Sequence, residues 1–293
     1  EPIFPKTGVV ALAGSSDTGK SSFLRQLGCA IVTGEKDFLG FKINAKHKNV
    51  IYVSTEDDKY AIAYLLNKQN DKKMKPEEYK NFRVIFDTDD IISRLEASLK
   101  KQPADCIILD TFTDLYDGEL NASNKVRGFI NKYRQLAIKY NCLIIFLHHT
   151  GKRTENLPPS KDNVLGSQGF EGKMRLVLEL RKDIKNTENR HLCIVKGNYI
   201  ETNDKEKSYL LKFNENMKFS NLNTRVPYSE LMRSDAFNSK VKKRSVNKEK
   251  AIKYKNEGLT IRQIEEKMKE EGINVSKPSV ANWIKDCPNV QSP

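Results

Sequence analysis

The sequence has 293 residues, enough for one full-sized domain and a smaller one. Hydrophobic residues make up 38%, slightly low for a globular protein but too high for a disordered chain, so a sizeable core is expected. With 51 basic against 38 acidic residues the net charge is +13, which favours a polyanionic partner such as nucleic acid over an acidic protein or a neutral ligand. A basic membrane-surface protein is the competing reading.

No run approaches the roughly 18 apolar residues of a membrane span. The start, Glu1-Pro2-Ile3-Phe4, lacks the basic-then-apolar pattern of a signal peptide, so a cytoplasmic protein with no membrane partner is expected. Five scattered cysteines, Cys29, Cys106, Cys142, Cys193 and Cys287, read as buried thiols rather than a disulfide framework or a zinc site.

From Gly8 to Leu222, short β-branched runs alternate with amphipathic stretches, the pattern of an α/β fold with a mainly parallel sheet. Strands are predicted at Val9–Ala13, Val50–Ser54, Phe82–Phe86, Cys106–Asp110, Leu143–Leu147, Leu176–Leu180 and His191–Lys196, and Ser208–Phe213 with Met217–Ser220 reads as a closing hairpin. Crossover helices are predicted at Lys20–Thr33, Lys59–Gln69, Ile91–Lys101 and Asn124–Tyr140. Lys152–Asn163, polar and containing Pro158-Pro159, reads as a mobile loop.

The first strand runs into Gly14-Ser15-Ser16-Asp17-Thr18-Gly19-Lys20-Ser21-Ser22, which fits G-x-x-x-x-G-K-[ST] between a strand and a helix. Such a loop curls backbone N–H groups around ATP phosphates, with Lys20 on the β and γ phosphates and the Ser21 hydroxyl on Mg²⁺. Asp17 departs from expectation, as an acid near phosphate that must face solvent or pair with a base. Further strand ends supply Glu56 as the group that orients the attacking water, Asp110 as the magnesium aspartate, and His148-His149.

The order of Gly14–Ser21, S-T-E-D at Ser54–Asp57, I-I-L-D-T at Ile107–Thr111, F-L-H-H at Phe146–His149, Gly166 to Arg175, and K-G-N-Y at Lys196–Tyr199 resembles the RecA-like ATPases of the plasmid RepA helicase group. The resemblance covers about Gly8 to Leu222. It implies a RecA-like P-loop NTPase in which Lys20, Glu56 and Asp110 act as above, His149 contacts the γ-phosphate, and Arg175 reaches the neighbouring subunit's site as an arginine finger. It further implies a homo-oligomer, a hexamer, acting on single-stranded or duplex DNA. Lys152, Arg153 and Lys161 are expected to line a central channel.

Beyond Leu222 the composition shifts. Residues 223–246 read as a linker whose end, Ser239–Val246, is basic, and 247–293 as a small all-α domain. Helices are predicted at Lys248–Lys255, Ile261–Glu270 and Pro278–Lys285, with Thr260 and Gln263 as a capping box and Leu259 with Ile264 as a hydrophobic staple. This arrangement resembles resolvase-type helix-turn-helix domains, with Lys277, Ser279, Asn282 and Lys285 offered to DNA and Trp283 in the core. From Lys240 onward, 13 basic face 7 acidic residues, a net +6 suited to phosphate contact; the acidic Glu265, Glu266, Glu270 and Glu271 equally suit a subunit-docking module.

The function expected is an ATP hydrolase that couples Mg²⁺-dependent turnover to movement on, or remodelling of, DNA, in the setting of a plasmid or mobile element. The alternative is an ATP-switched DNA-binding regulator, or a recombination or transposition accessory ATPase without unwinding activity. A P-loop small-molecule kinase explains neither the charge nor the C-terminal module.

Overall fold

The computed structural model describes residues 2–69, 74–151, 154–232 and 246–284, in two compact units, Glu1–Met232 and Arg233–Pro293. Strand β1 (Gly8–Gly14) is buried at every position because both faces of its sheet are covered. Val10 and Leu12 enter one core layer, and Val9, Ala11 and Ala13 the other, as the two-residue period of a strand requires.

In chain order β1 is followed by helix α1 (Lys20–Val32), a small hairpin of β2 (Asp37–Phe38) and β3 (Phe41–Lys42), then β4 (Val50–Ser54), α2 (Lys59–Gln69), α3 (Pro76–Tyr79), β5 (Phe82–Ile85) and α4 (Ile91–Lys101). Next come β6 (Cys106–Asp110), α5 (Phe112–Leu115), α6 (Ser123–Tyr140), β7 (Leu143–His149), α7 (Ser167–Glu171), β8 (Leu176–Lys182), β9 (Asn189–Gly197), β10 (Lys207–Phe213) and β11 (Phe219–Pro227). The sheet order is β11-β10-β9-β8-β1-β7-β6-β4-β5. Strands β5, β4, β6, β7, β1 and β8 are parallel, and β9 to β11 continue antiparallel.

Helices α1 and α2 cover one face through Phe23, Leu24, Leu27, Ile62 and Leu66. Helices α4 and α6 cover the other through Leu95, Leu99, Val126, Ile130 and Tyr133. This is the α/β, mainly parallel architecture that the alternating pattern predicts, and it agrees with the RecA-like P-loop fold that the resemblance implies. Cys106, Cys142 and Cys193 are buried free thiols, and Cys29 is half-buried and free.

Three expectations change. The linker does not begin at residue 223, because β11 runs to Pro227 and a 3-10 turn, Tyr228–Leu231, buries Leu231. Its Asn-Thr-Arg sequence conceals a strand because β11 is a sheet edge, held by backbone pairing to β10 and by the Arg225 guanidinium 3.9 Å from the Tyr209 ring centroid. Met217, expected in the closing strand, sits instead in the turn with φ 57°.

The third correction concerns the segment after β7, expected to be a mobile loop. It forms 3-10 turns at Thr154–Asn156 and Lys161–Asn163, clamped by two charged residues of β8. Glu179, 2% exposed, accepts from Ser160 N (3.2 Å) and Asn163 Nδ2 (3.4 Å). Arg181 donates to the Leu157 and Thr154 carbonyls at 2.7 and 2.8 Å and pairs with Glu179 at 3.3 Å. These partners satisfy a buried charge pair that an apolar strand otherwise could not carry.

The C-terminal unit contains α8 (residues 246–256), α9 (Ile261–Glu270) and α10 (Lys277–Ile284). Ala251, Tyr254, Ile264, Met268, Val280 and Ile284 form its core, with Leu259 and Trp283 packed against it. Thr260 and Gln263 cap α9 reciprocally. Glu271 ties α8 to the end of α9 by accepting from the Tyr254 hydroxyl and from Lys250 Nζ. Most of the expected basic linker, through residue 245, lies outside the described residues.

Candidate nucleotide site

The carboxyl edge of the parallel strands collects the expected chemistry. Gly14 pairs in register with His149, and Ser54 with Asp110, so β1, β7, β4 and β6 end side by side. A turn follows each, and the one after β1 leads into the N-terminus of α1.

Gly19 has φ 92°, a left-handed conformation that favours glycine, and leaves the N-terminus of α1 without a side-chain cap or a first-turn acid. Those N–H groups face an anion site. A Cβ on Gly14 would lie 2.4 Å from the Leu180 carbonyl oxygen, so this glycine lets the loop press against β8. Arg190 locks the loop from β9 by donating to the Thr18 carbonyl at 3.0 Å. Ser16 and Asp17 are exposed, so the acid in the loop faces solvent.

Lys20 is 6% exposed, and its Nζ donates to the Ser15 carbonyl at 2.7 Å. Burial lowers its pKa to about 8, opposed by the charges of Asp110, Glu56 and Asp17. It remains a cation at neutral pH and is held inside the loop that phosphate would fill. Asp110 is 5% exposed and accepts a hydrogen bond from the Tyr52 hydroxyl on Oδ2, while Oδ1 is buried with no hydrogen-bond partner. Burial raises its pKa, against the opposing pull of Tyr52, Ser21 and Arg25.

An orphaned buried carboxylate oxygen beside a serine hydroxyl fits a divalent cation. Among the described residues no cluster of three or more His, Cys, Asp or Glu could hold a metal unaided. That suits Mg²⁺, which takes one or two protein ligands together with substrate phosphates.

Glu56 is exposed beyond β4, and its pKa is raised by desolvation and by the neighbouring Asp110, Asp114 and Asp57 carboxylates. The two histidines separate. His149 is half-buried at the edge, its pKa lowered by burial and by the Lys20 charge. His148 is fully buried against Phe112 and Phe170, at 4.8 and 4.5 Å between ring centroids, with Nε2 2.9 Å from the Leu165 carbonyl.

Arg175 is not part of this cluster. Its backbone N–H donates to the Val9 carbonyl and its side chain lies along Gly8, at the opposite edge of the sheet from Gly14. Arg175 and Leu180, which lies beside the P-loop, are five residue steps apart along the strand direction, roughly 16 Å. Lys161 is exposed and pairs with Glu171 at 3.3 Å. In α10, Lys277 and Asn282 are exposed and Ser279 is half-exposed. Lys152, Arg153 and Lys285 lie outside the described residues.

Sequence reasoning missed Tyr52, Arg25, Thr55, Asp114 and Arg190. The Thr55 hydroxyl accepts from Thr111 N at 3.0 Å and donates to the Asp114 carboxylate, joining the ends of β4 and β6; the Asp110–Thr111 peptide there is cis. A polar-headed residue inside V-I-Y-V-S and a cation in the buried stretch of α1 were the available signals. A Ser208–His191–Asp183 row is also hydrogen-bonded, yet Ser208 is fully buried and donates to the Val226 carbonyl, so it is structural.

The sequence pattern of the AAA domain (AAA_25) matches residues 1–155. The chain belongs to this AAA domain family. No curated protein matches it. Among 415 matching solved chains, the ATPase domain of G40P aligns with a TM-score of 0.58 over 75% of this chain and 86% of that one. At 14% identity the likeness is one of fold. This AAA domain protein is an ATP-hydrolysing P-loop enzyme with a RecA-like core.

Proposed function

We propose that this AAA domain protein is a DNA-dependent ATPase of the RepA-like helicase or remodelling kind, assembled as a hexameric ring and serving a plasmid or mobile element. The observation that carries the reading is the division of the machinery. Lys20, Glu56, Asp110 and His149 share one sheet edge, whereas Arg175 stands at the other. An arginine so placed cannot serve its own site but is available to a neighbour's in a head-to-tail assembly.

In this reading the α1 N–H groups and Lys20 bind the ATP phosphates, and Ser21 with Asp110 Oδ1 holds Mg²⁺. When bound, the ion neutralises charge on the phosphate oxygens. Glu56 orients a water for attack on the γ-phosphorus and accepts its proton, while the bond from that phosphorus to the bridging oxygen breaks. Neutral His149 donates an N–H to the γ-phosphate, and the neighbour's Arg175 meets charge developing in the transition state. Lys152, Arg153 and Lys161 face DNA from the channel, and Lys277, Ser279, Asn282 and Lys285 offer a groove contact from the C-terminal unit.

Turnover measured with single-stranded and duplex DNA, beside displacement of a labelled strand, tests this. Single-strand stimulation of about tenfold or more with displacement is expected of an electrostatically gripped motor. Duplex-stimulated assembly without displacement would support the ATP-switched regulator or accessory ATPase instead, and indifference to all DNA would overturn both.

A further inference from the structure

Besides Lys20, α1 buries a second cation, Arg25, which is 3% exposed. Its Nη2 donates to Ser22 Oγ at 3.3 Å, and Nη1 stands 3.8 Å from Asp57 Oδ2. Neither Nε nor Nη1 meets strict hydrogen-bond geometry, although the guanidinium is close enough to the Tyr52 hydroxyl to interact with it. A buried guanidinium held by such long contacts adds little net stability, and an apolar side chain could fill the space at less cost. Stability therefore does not account for it.

Position does. Arg25 lies beside Tyr52 of β4, whose hydroxyl donates to Oδ2 of Asp110 on β6, and its charge acts on both groups. Its other contact, Asp57, follows Glu56 directly and is fastened by Ser54, whose hydroxyl donates to the Asp57 carbonyl at 2.7 Å. One side chain from the helix that begins at Lys20 thus reaches the supports of the two acids that the site uses.

We propose that Arg25 is a positioning residue for the metal aspartate: it fixes Tyr52 on Oδ2 of Asp110, leaving Oδ1 free for Mg²⁺, and steadies the segment that bears Glu56. The proposal rests on Asp110 being the magnesium ligand. Partners one step removed from a metal commonly govern its affinity by 10- to 100-fold.

The test uses the full chain with Arg25→Met, Arg25→Lys, Tyr52→Phe, the Arg25→Met/Tyr52→Phe double variant and Asp110→Asn. Mn²⁺ binding to the ADP complex is followed by electron paramagnetic resonance, and a fluorescent ATP analogue is titrated in EDTA. Arg25→Met and Tyr52→Phe should each weaken Mn²⁺ binding by about tenfold, with metal-free nucleotide affinity held within about twofold. The double variant should lose little more than either single one, since both act through one carboxylate. Arg25→Lys should recover part of the loss, because it restores charge without the planar fork that spans two partners.

Mn²⁺ binding retained in Asp110→Asn would overturn the metal assignment itself. Binding lost there but unchanged in Tyr52→Phe and Arg25→Lys would overturn the role of Arg25, and this pair decides if Arg25→Met fails to fold. Additive losses in the double variant, or an equal loss of metal-free nucleotide affinity, would likewise reduce Arg25 to a structural part of α1.

Discussion

At the scale of single residues, the site sets opposite demands on neighbouring groups. In the proposed roles Lys20 must stay charged although burial lowers its pKa to about 8, and Glu56 must lose its proton although desolvation and three neighbouring carboxylates raise its own. The sign for turnover follows. Activity should fall as pH drops through the raised Glu56 value, so the acid limb of kcat is shifted upward from that of an ordinary glutamate and disappears in Glu56→Gln. That variant should lose roughly 10²- to 10⁴-fold in kcat while binding ATP normally, whereas Lys20→Ala should lose binding. A pH profile of kcat with parallel nucleotide titrations checks both, and wild-type turnover in Glu56→Gln would remove the base assignment.

At the scale of elements, legibility tracked how each one is buried. Strands covered on both faces are runs of Val, Ile and Leu, so β1, β4, β6 and β7 were readable, and residues ending them, such as Asp110 and His149, could be placed at one edge. The capping box of α9 was equally plain, because its chemistry is local. Strand β11 was hidden because an exposed edge strand tolerates Asn, Thr and Arg. The clamp of Glu179 and Arg181 was hidden because a charged pair in a strand looks like a surface feature until its partners, many residues away, are known. Tyr52 and Arg25 left only a weak signal, a polar head or a charge in an apolar stretch, because their partners lie on other elements.

The element boundaries also define a truncation. Cutting after Met232, where the first unit ends, should leave a folded ATPase with reduced duplex affinity, because the C-terminal segment carries a net charge of +6 from Lys240 onward. Removing it should flatten the slope of log affinity against log salt by about one unit per lost phosphate contact, which titrations at several salt concentrations measure. An unchanged slope joined to loss of oligomers would make the unit a docking element.

At the scale of the whole molecule, the ATPase unit is polar. Its carboxyl edge holds Lys20, Glu56, Asp110 and His149, and its opposite edge carries Arg175 beside Gly8. Under the proposed function such a unit would be complete only when a second copy follows it head to tail, which a ring would close without leaving an end. The central claim is therefore that the neighbour's Arg175 finishes each site. The most direct measurement mixes Lys20→Ala with Arg175→Ala subunits, each nearly inactive alone, and follows ATP turnover. In random mixed rings half the sites can bind ATP and half of those face an intact arginine, so an equal mixture should recover about a quarter of wild-type turnover. Turnover no higher than that of the two variants measured apart, at every mixing ratio, would contradict it.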